Sequence, residues 1–383
     1  MAIELLELGE QVDRRTGKKA VQWARRRAEC NEVLMVRYRD TPNYHLHWEQ
    51  GLQEYRSIGD HEKIKKFEAL YPDVVNRMPV ARFSAEIDVT EMMAFIRAFA
   101  KELSEETPER ILAFLSSDTR IMPPTDGTSG NDIGPHQVSS ILDLINVVII
   151  DELGHHTKYF KTALQRDGLA SLKDFEIWLE LWTVPMVSEI LRAGIEQGKL
   201  SSRSFISFLD GHTWLGQEFE RALPGRRVKR YKWLDVLEPA IHLCFMDFQN
   251  QGPNDSRAAS ASRVPALDSL ILKLEGLLRE WANSHGIRSW QMRTDRNGEA
   301  VFGERDLNSL LYDSALAGLL TEPNLTFFRF LLVEQAGYNL RNRVAHALLL
   351  SHSEYTADYT VMALFALLRL VRCPLGDQVG LSY

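Results

Sequence analysis

Apolar residues recur at helical spacing along most of the chain, and this pattern predicts a mainly α-helical protein. Three segments show the spacing most clearly, at residues 137–152, 172–197 and 265–283. Pro185 predicts a kink or break in the second segment, and Gly286 predicts the end of the third. Thr107 followed by Pro108 predicts a further helix start. The alternation typical of strands is scarce, so no sheet is predicted.

Two polar segments predict boundaries in the 383-residue chain. Residues 116–136 are rich in Pro, Gly, Ser and Thr without helical spacing, and residues 250–264 are small and polar, as in a linker. They predict an N-terminal region 1–120, a middle helical region 137–250 and a C-terminal region 264–383. The first boundary could equally be a long loop, in which case the first two regions form one domain.

Charge and cysteine usage exclude several classes of protein. The net charge of −7 argues against a protein that coats DNA non-specifically, so nucleic-acid contacts would need local basic patches. Cys30, Cys244 and Cys373 form no CxxC pair, so neither a disulfide framework nor a zinc site is indicated. The first residues lack a secretory signal pattern, and the longest apolar run is far below the ~20 residues of a membrane span. These features predict a soluble, cytoplasmic protein.

The segment GYNLRNRVAH, residues 337–346, contains the most informative side chains. Asn339 is predicted to cap a helix that continues to Leu350, and a last helix is predicted at about 355–372. Asn342 and His346 are four residues apart and share a helix face.

Arg341, Asn342 and His346 suit phosphodiester chemistry. Arg341 lies about 140° round the helix from His346, and its side chain is long enough to reach a phosphate near the imidazole. A guanidinium group matches phosphate oxygens, an imidazole transfers protons near neutral pH, and Asn342 could hold the imidazole or a ribose. No carboxylate cluster adjoins them in sequence, so this chemistry needs no metal.

These three residues resemble the R-polar-x-x-x-H signature of HEPN ribonucleases. The resemblance extends upstream through LTFFRFLLVEQAGYNLRNRVAH and covers roughly residues 265–372. This segment is similar to the C-terminal HEPN region of an uncharacterised bacterial family that ends in a GxNLRNxxAH helix. The resemblance implies a C-terminal HEPN-type helical bundle that forms homodimers through its last helices, with two Arg–His helices facing one cleft. Relatives often have glycine after the histidine, where this chain has Ala347, a small residue compatible with a helix.

The resemblance also implies an activity, namely metal-independent endoribonuclease cleavage without a cofactor. His346 would act in acid–base catalysis and Arg341 would stabilise the charged phosphorane while the RNA 2′-OH attacks, leaving a 2′,3′-cyclic phosphate. The preceding residues would then sense a trigger, bind an inhibitor or position RNA, as in a toxin or antiphage-defence effector. The alternative is a non-catalytic HEPN dimerisation scaffold that binds protein partners. In a scaffold, Arg341 and His346 would be buried or ion-paired instead of lining an open cleft.

A basic segment at residues 225–233 predicts a second RNA contact. Cations interleaved with aromatic residues suit a single strand, whose phosphates pair with the cations while its bases stack. The candidate RNA-binding residues are Arg226, Arg227, Lys229, Arg230, Tyr231 and Lys232. The alternative is a solvated loop before a helix that begins near Leu234.

A metal site is the weakest alternative. Glu152 and His155 have the spacing of half a di-iron site, and Glu238 with His242 is the nearest second pair. An unrelated helical metalloenzyme would need more ligands than these, so an ordinary helix end explains the first pair better. Neither a P-loop nor a dinucleotide-binding motif occurs in the sequence.

Overall fold

The computed structural model describes residues 6, 11, 21–41, 43–77, 88–123, 147–150, 156–160, 163–223, 227–249, 256–295 and 298–376. The chain is mainly α-helical, which confirms the predicted fold class. The described helices are α1 Val21–Arg37, α2 Asn43–Ile58, α3 His61–Ala69, α4 Tyr71–Asn76, α5 Thr90–Leu103, α6 Pro108–Ser117, α7 Ala163–Trp178, α8 Val184–Glu196, α9 Ser202–His212, α10 Trp233–Gln249, α11 Ser256–Ser284, α12 Leu307–Leu311, α13 Ser314–Ala317, α14 Glu322–Leu332, α15 Leu340–Ala345 and α16 Ala357–Val371.

The strands of the described residues form antiparallel two-stranded hairpins. They are β1 Val147–Ile150 with β2 His156–Phe160, β3 Phe219–Leu223 with β4 Arg227–Tyr231, and β5 Trp290–Thr294 with β6 Ala300–Glu304. The helix predicted over 137–152 is wrong at residues 147–150, where four consecutive β-branched residues favour a strand. Residues 137–146 and 151–152 lie outside the described residues.

The chain divides into two compact units, one of residues 1–87 with 153–155, the other of residues 88–152 with 156–383. This division differs from the predicted regions 1–120, 137–250 and 264–383, because the predicted middle and C-terminal regions share one unit. In the first unit, α1 and α2 pack together with α3. There the indole N–H of Trp48 donates to the carbonyl of Phe67 at 2.7 Å, and both side chains are buried.

The second unit is organised around α16. Every residue from Thr360 to Val371 is buried, and α6, α8, α11 and α14 all pack on this helix. Its buried Arg369 donates to Oδ1 of Asn324 at 2.9 Å and to the carbonyl of Asp118 at 3.0 Å. The last helix predicted at about 355–372 is therefore confirmed, and it is the core of its unit.

Three local predictions about helix boundaries are also confirmed. The side chain of Thr107 caps α6, with Pro108 in its first turn. A π-helical turn at Leu179–Thr183 interrupts the predicted helix just before Pro185. Gly286, with a φ of 76°, follows the end of α11.

The predicted linker at residues 250–264 is wrong from Ser256 onwards. Residues 256–264 form the first turns of α11, since their alanines are the best helix formers even though the composition is that of a linker. Arg263 in this segment donates from Nε to Oδ2 of the buried Asp247 at 2.9 Å, which fixes α11 to α10.

Gly276 permits the close packing of α10 on α11, which Gly276→Ala is expected to disturb. A Cβ at position 276 would lie 2.5 Å from Cη2 of Trp233, a rigid ring atom. We expect a loss of about 1–2 kcal/mol in the free energy of unfolding, measured by urea denaturation. The control Gly168→Ala, where a Cβ meets nothing within 4 Å in α7, should stabilise by about 0.5–1 kcal/mol. Equal effects of the two substitutions would contradict this packing.

Candidate functional site

The helix that bears Arg341 and Asn342 is short. Helix α15 ends at Ala345, so the predicted continuation to Leu350 is wrong, and His346 is the C-terminal cap. The amide of Ala347 donates to the carbonyl of Val344 at 3.1 Å, and the amide of Leu348 donates to that of Arg343 at 2.7 Å. This pair of bonds is a Schellman motif, which places the residue after the cap in the left-handed region. Ala347 has a φ of 52° and lies outside the helix, contrary to the expectation of a helical residue there.

Asn339 precedes α15, but its side chain does not cap the helix as predicted. Its backbone is left-handed, with a φ of 50°, a conformation that Asn tolerates better than most residues. Its side-chain Oδ1 instead accepts a bond of 2.7 Å from Nδ2 of Asn342. The consequence is that Asn342 is held in place from the N-terminal side.

The guanidinium of Arg341 is fixed by two neighbours. Nε donates to Oε2 of Glu275 at 2.8 Å, Nη2 donates to Oε1 of Glu275 at 3.4 Å, and Nη1 donates to Oδ1 of Asn342 at 3.1 Å. These bonds use three of the five guanidinium N–H groups, which leaves two for another acceptor. Arg341 is therefore oriented, and it retains donors for a further acceptor.

Glu275 on α11 is shared by two arginines. Nη2 of Arg279, one turn further along α11, donates to Oε1 of Glu275 at 2.6 Å, while Arg341 binds the same carboxylate. Burial alone would raise the pKa of Glu275, but the bonds from Arg341 and Arg279 outweigh burial and lower it. The carboxylate is therefore charged at neutral pH and anchors both guanidinium groups.

His346 lies at the other end of α15 with an exposed imidazole. Among the described residues its ring accepts and donates no hydrogen bond, so the structure joins Arg341 to Asn342 but does not hydrogen-bond His346 to either. Arg343 on the same helix donates from Nη1 to the hydroxyl of Tyr359 at 2.9 Å, which ties α15 to α16. The ends of α15 thus differ: a fixed cation at one and an accessible imidazole at the other.

Sequence reasoning missed Glu275 and Arg279. Their i, i+4 spacing on a predicted helix is a signal for a local ion pair. Nothing in the sequence indicates that the same carboxylate also binds Arg341, 66 residues further along the chain.

Within the predicted RNA-binding segment 225–233, residues 227–231 form strand β4 instead of a loop. Nε of Arg230 donates to Oε1 of Glu220 at 2.8 Å, and Nζ of Lys232 donates to Oδ1 of Asp210 at 2.6 Å. Lys229 is exposed and has no ion-pair partner among the described residues. Arg226 lies outside the described residues, and the side chain of Arg227 is likewise not described. Most of the described cations of this segment are thus already paired.

Tyr231 packs inward instead of presenting its ring. Its ring stacks on Phe219 with centroids 5.7 Å apart, and its hydroxyl donates to Oε2 of Glu280 at 2.7 Å. Burial and the bond to Glu280 raise the pKa of Tyr231 to about 12. A ring already packed in this way is a poor platform on which a base could stack.

The candidate metal pairs are not assembled into a site in the described residues. Glu152 and His155 lie outside them, and Nε2 of His242 is 3.3 Å from Oε1 of Glu238 while its Nδ1 lies 2.8 Å from Oγ of Ser202. Within the described ranges no three metal-ligating side chains come together.

Comparison with protein-family models, curated proteins and solved structures found no match. None of the described helices combines the length and the apolar character that crossing a membrane requires.

Glu275→Gln is expected to weaken the anchor of Arg341 and to change the pH dependence of stability. Since the pKa of Glu275 is lowered in the folded protein, its charge stabilises the fold above the unfolded value of about 4.5, and this contribution is lost as the pH falls through the folded value. We expect a loss of about 2 kcal/mol at pH 7 in urea unfolding, and a smaller difference from wild type below pH 4.

The matched control is Glu304→Gln, because Glu304 also accepts from Arg279, at 3.3 Å, but is 68% exposed. This substitution should cost less than about 0.5 kcal/mol. Equal stability of Glu275→Gln and wild type at both pH values would contradict the anchoring role.

Ala347→Gly is expected to stabilise the protein by up to about 1 kcal/mol. The left-handed conformation costs an L-residue about 1–2 kcal/mol, and the greater freedom of glycine in the unfolded chain offsets part of the gain. Ala345→Gly, at the last helical residue, should instead destabilise by about 0.5–1 kcal/mol. The melting temperatures of the two variants should therefore shift in opposite directions. A lower melting temperature for Ala347→Gly than for wild type would refute the left-handed conformation of Ala347.

Proposed function

We propose that this chain is a HEPN-type, metal-independent endoribonuclease with Arg341, Asn342 and His346 as its catalytic residues. The observation that carries the proposal is the arrangement on α15, where an oriented Arg341 with two remaining N–H donors and an accessible His346 occupy the two ends of one short helix. A fixed cation that binds the phosphate and a free imidazole that transfers protons together promote phosphodiester cleavage.

The proposed reaction transfers a phosphoryl group within the RNA. The 2′-OH loses its proton to a base and attacks the adjacent phosphorus, the bond to the 5′-oxygen breaks, and that oxygen takes a proton. The products are a 2′,3′-cyclic phosphate and a 5′-hydroxyl. Arg341 would stabilise the extra negative charge on the phosphorane, while Asn342 would hold Arg341 and the ribose.

A homodimer suits this reaction because one imidazole cannot act as base and acid in the same step. Two copies of His346, one from each protomer, could supply both roles across the composite cleft that the HEPN resemblance implies. Dimerisation through the C-terminal helices is therefore part of the proposal.

The biological role that we propose is a toxin or antiphage-defence effector. Unregulated RNA cleavage harms a cell, so such an enzyme needs control by an inhibitor or a trigger. The division of the chain into two compact units is consistent with a regulatory region separate from the nuclease.

A non-catalytic dimerisation scaffold is the second candidate, and one observation favours it. Arg341 is ion-paired with Glu275 and its side chain is 24% exposed, as expected of an arginine with a structural role. The exposed His346 favours the enzyme, since an imidazole with no hydrogen-bond partner in the described part of the chain contributes little to packing.

The nuclease proposal is tested with labelled RNA in the presence of EDTA. We expect wild type to cleave and to leave cyclic phosphate ends, and His346→Ala and Arg341→Ala to lose activity by at least about 10²-fold. His352→Ala, an exposed histidine in the 3₁₀ turn His352–Glu354, is the control and should keep wild-type activity.

Oligomeric state separates the two candidates in the same preparations. Cleavage that survives both substitutions would refute the catalytic assignment. Dimers of all three proteins that cleave no RNA would support the scaffold instead.

A further inference from the structure

A cleft of about 790 Å³ lies in the second unit, between the hairpin β5–β6, the strand β3 and the helix α11. Aromatic rings of Trp233, Trp290 and Phe302 line it together with the cations Arg221 and Arg279. Its size is that of a site for a substantial ligand. None of the residues that line it belongs to the catalytic set proposed above.

The face of β5–β6 that bears the aromatic residues is unusually exposed. Phe302 is 69% exposed, its cross-strand partner Met292 is 65% exposed, and the ring of Trp290 meets that of Phe302 edge-on at 5.5 Å. Adjacent large apolar side chains on one face of a two-stranded hairpin point to a binding surface more than scattered ones do.

Arginines line the cleft or lie beside one of its rings. Arg221 on β3 is 61% exposed and lies across the β3–β4 hairpin from the exposed Lys229. Cζ of Arg288 lies 5.2 Å from the ring centroid of Trp290. Two carboxylates offset the charges of the two arginines in the lining, since Glu280 is 3.8 Å from Arg221 and Glu304 is 3.3 Å from Arg279. The lining has two arginines and two glutamates, so its formal charges cancel, and stacking on the rings would contribute more to binding than phosphate neutralisation.

We propose that this cleft binds a single-stranded segment of RNA, with Phe302 and Trp290 stacking on unpaired bases and Arg221 contacting the backbone. Exposed rings beside cations are the combination that binds single strands, whereas a duplex hides the faces of its bases. This inference rests on the proposed function for the identity of the ligand. It replaces Tyr231, whose ring is already packed, by Phe302 as the stacking residue.

The cleft adjoins the proposed catalytic centre through one carboxylate. Arg279 lines the cleft and binds Glu275, and Glu275 binds Arg341. An RNA strand held in the cleft would therefore lie next to the anchor of Arg341, where a scissile phosphate is needed.

The test compares Phe302→Ala with Val301→Ala, a neighbour on the opposite face of β6 that is 43% exposed. Both substitutions are made in the His346→Ala protein so that RNA is not consumed. Binding of a labelled, unstructured RNA of about 12 nucleotides, within the usual range of single-strand site sizes, is followed by fluorescence anisotropy. We expect Phe302→Ala to raise Kd about tenfold, Val301→Ala to change it less than twofold, and Arg221→Gln to raise it less than Phe302→Ala does.

Equal affinity of Phe302→Ala and Val301→Ala for RNA would overturn the proposed cleft, as would equal competition by a duplex of the same sequence. Binding by none of the proteins would overturn it too.

Cleavage by the variants with His346 intact keeps the two proposals apart. If His346 is essential for cleavage but Phe302→Ala binds RNA normally, the cleft is wrong and the nuclease stands. If Phe302→Ala weakens RNA binding but no protein cleaves RNA, the cleft stands and the nuclease is wrong.

Discussion

The second unit depends on the burial of α16 on all sides from Thr360 to Val371. A helix without a polar face can only be stable at the centre of other elements, and here helices from distant parts of the sequence supply the cover. Tyr359 at the start of this helix holds the candidate site, and Tyr355, two residues before the helix, binds α11. The hydroxyl of Tyr355 donates to Oδ1 of Asp268 at 3.0 Å, and that of Tyr359 accepts from Arg343. The position of α15 therefore follows from the packing of the core helix behind it.

The sequence predicts those parts of the fold that arise from local preferences. Thr107 and Gly286 mark helix boundaries because capping involves only near neighbours in the chain. The predictions fail where local signals are ambiguous. The apolar run 147–150 fits a buried strand as well as a helix. Residues 256–264 have the composition of a linker, but their alanines favour a helix and the contact of Arg263 with Asp247 stabilises it.

The candidate site is predictable only in part for the same reason. Arg341, Asn342 and His346 are close in sequence, so their pattern is visible in the order of the residues themselves. The end of α15 is not visible in this way, because Ala347 adopts a left-handed conformation that alanine rarely takes and that the neighbouring residues do not signal. The inward packing of Tyr231 is not visible in the sequence either, because it depends on Glu280 and Phe219 from other elements. Long-range partners of this kind follow from the assembled core and from no single segment.

The carboxylate of Glu275 has one charge to divide between Arg279 and Arg341. A ligand that draws Arg279 towards itself leaves more of that charge to Arg341, and a phosphate that draws Arg341 away leaves more to Arg279. The free energies of the two events are therefore linked, and the linkage is reciprocal, since each changes the other by the same amount. A single shared side chain would thus couple a ligand in the cleft to an anion bound by Arg341, without any movement of the helices between them.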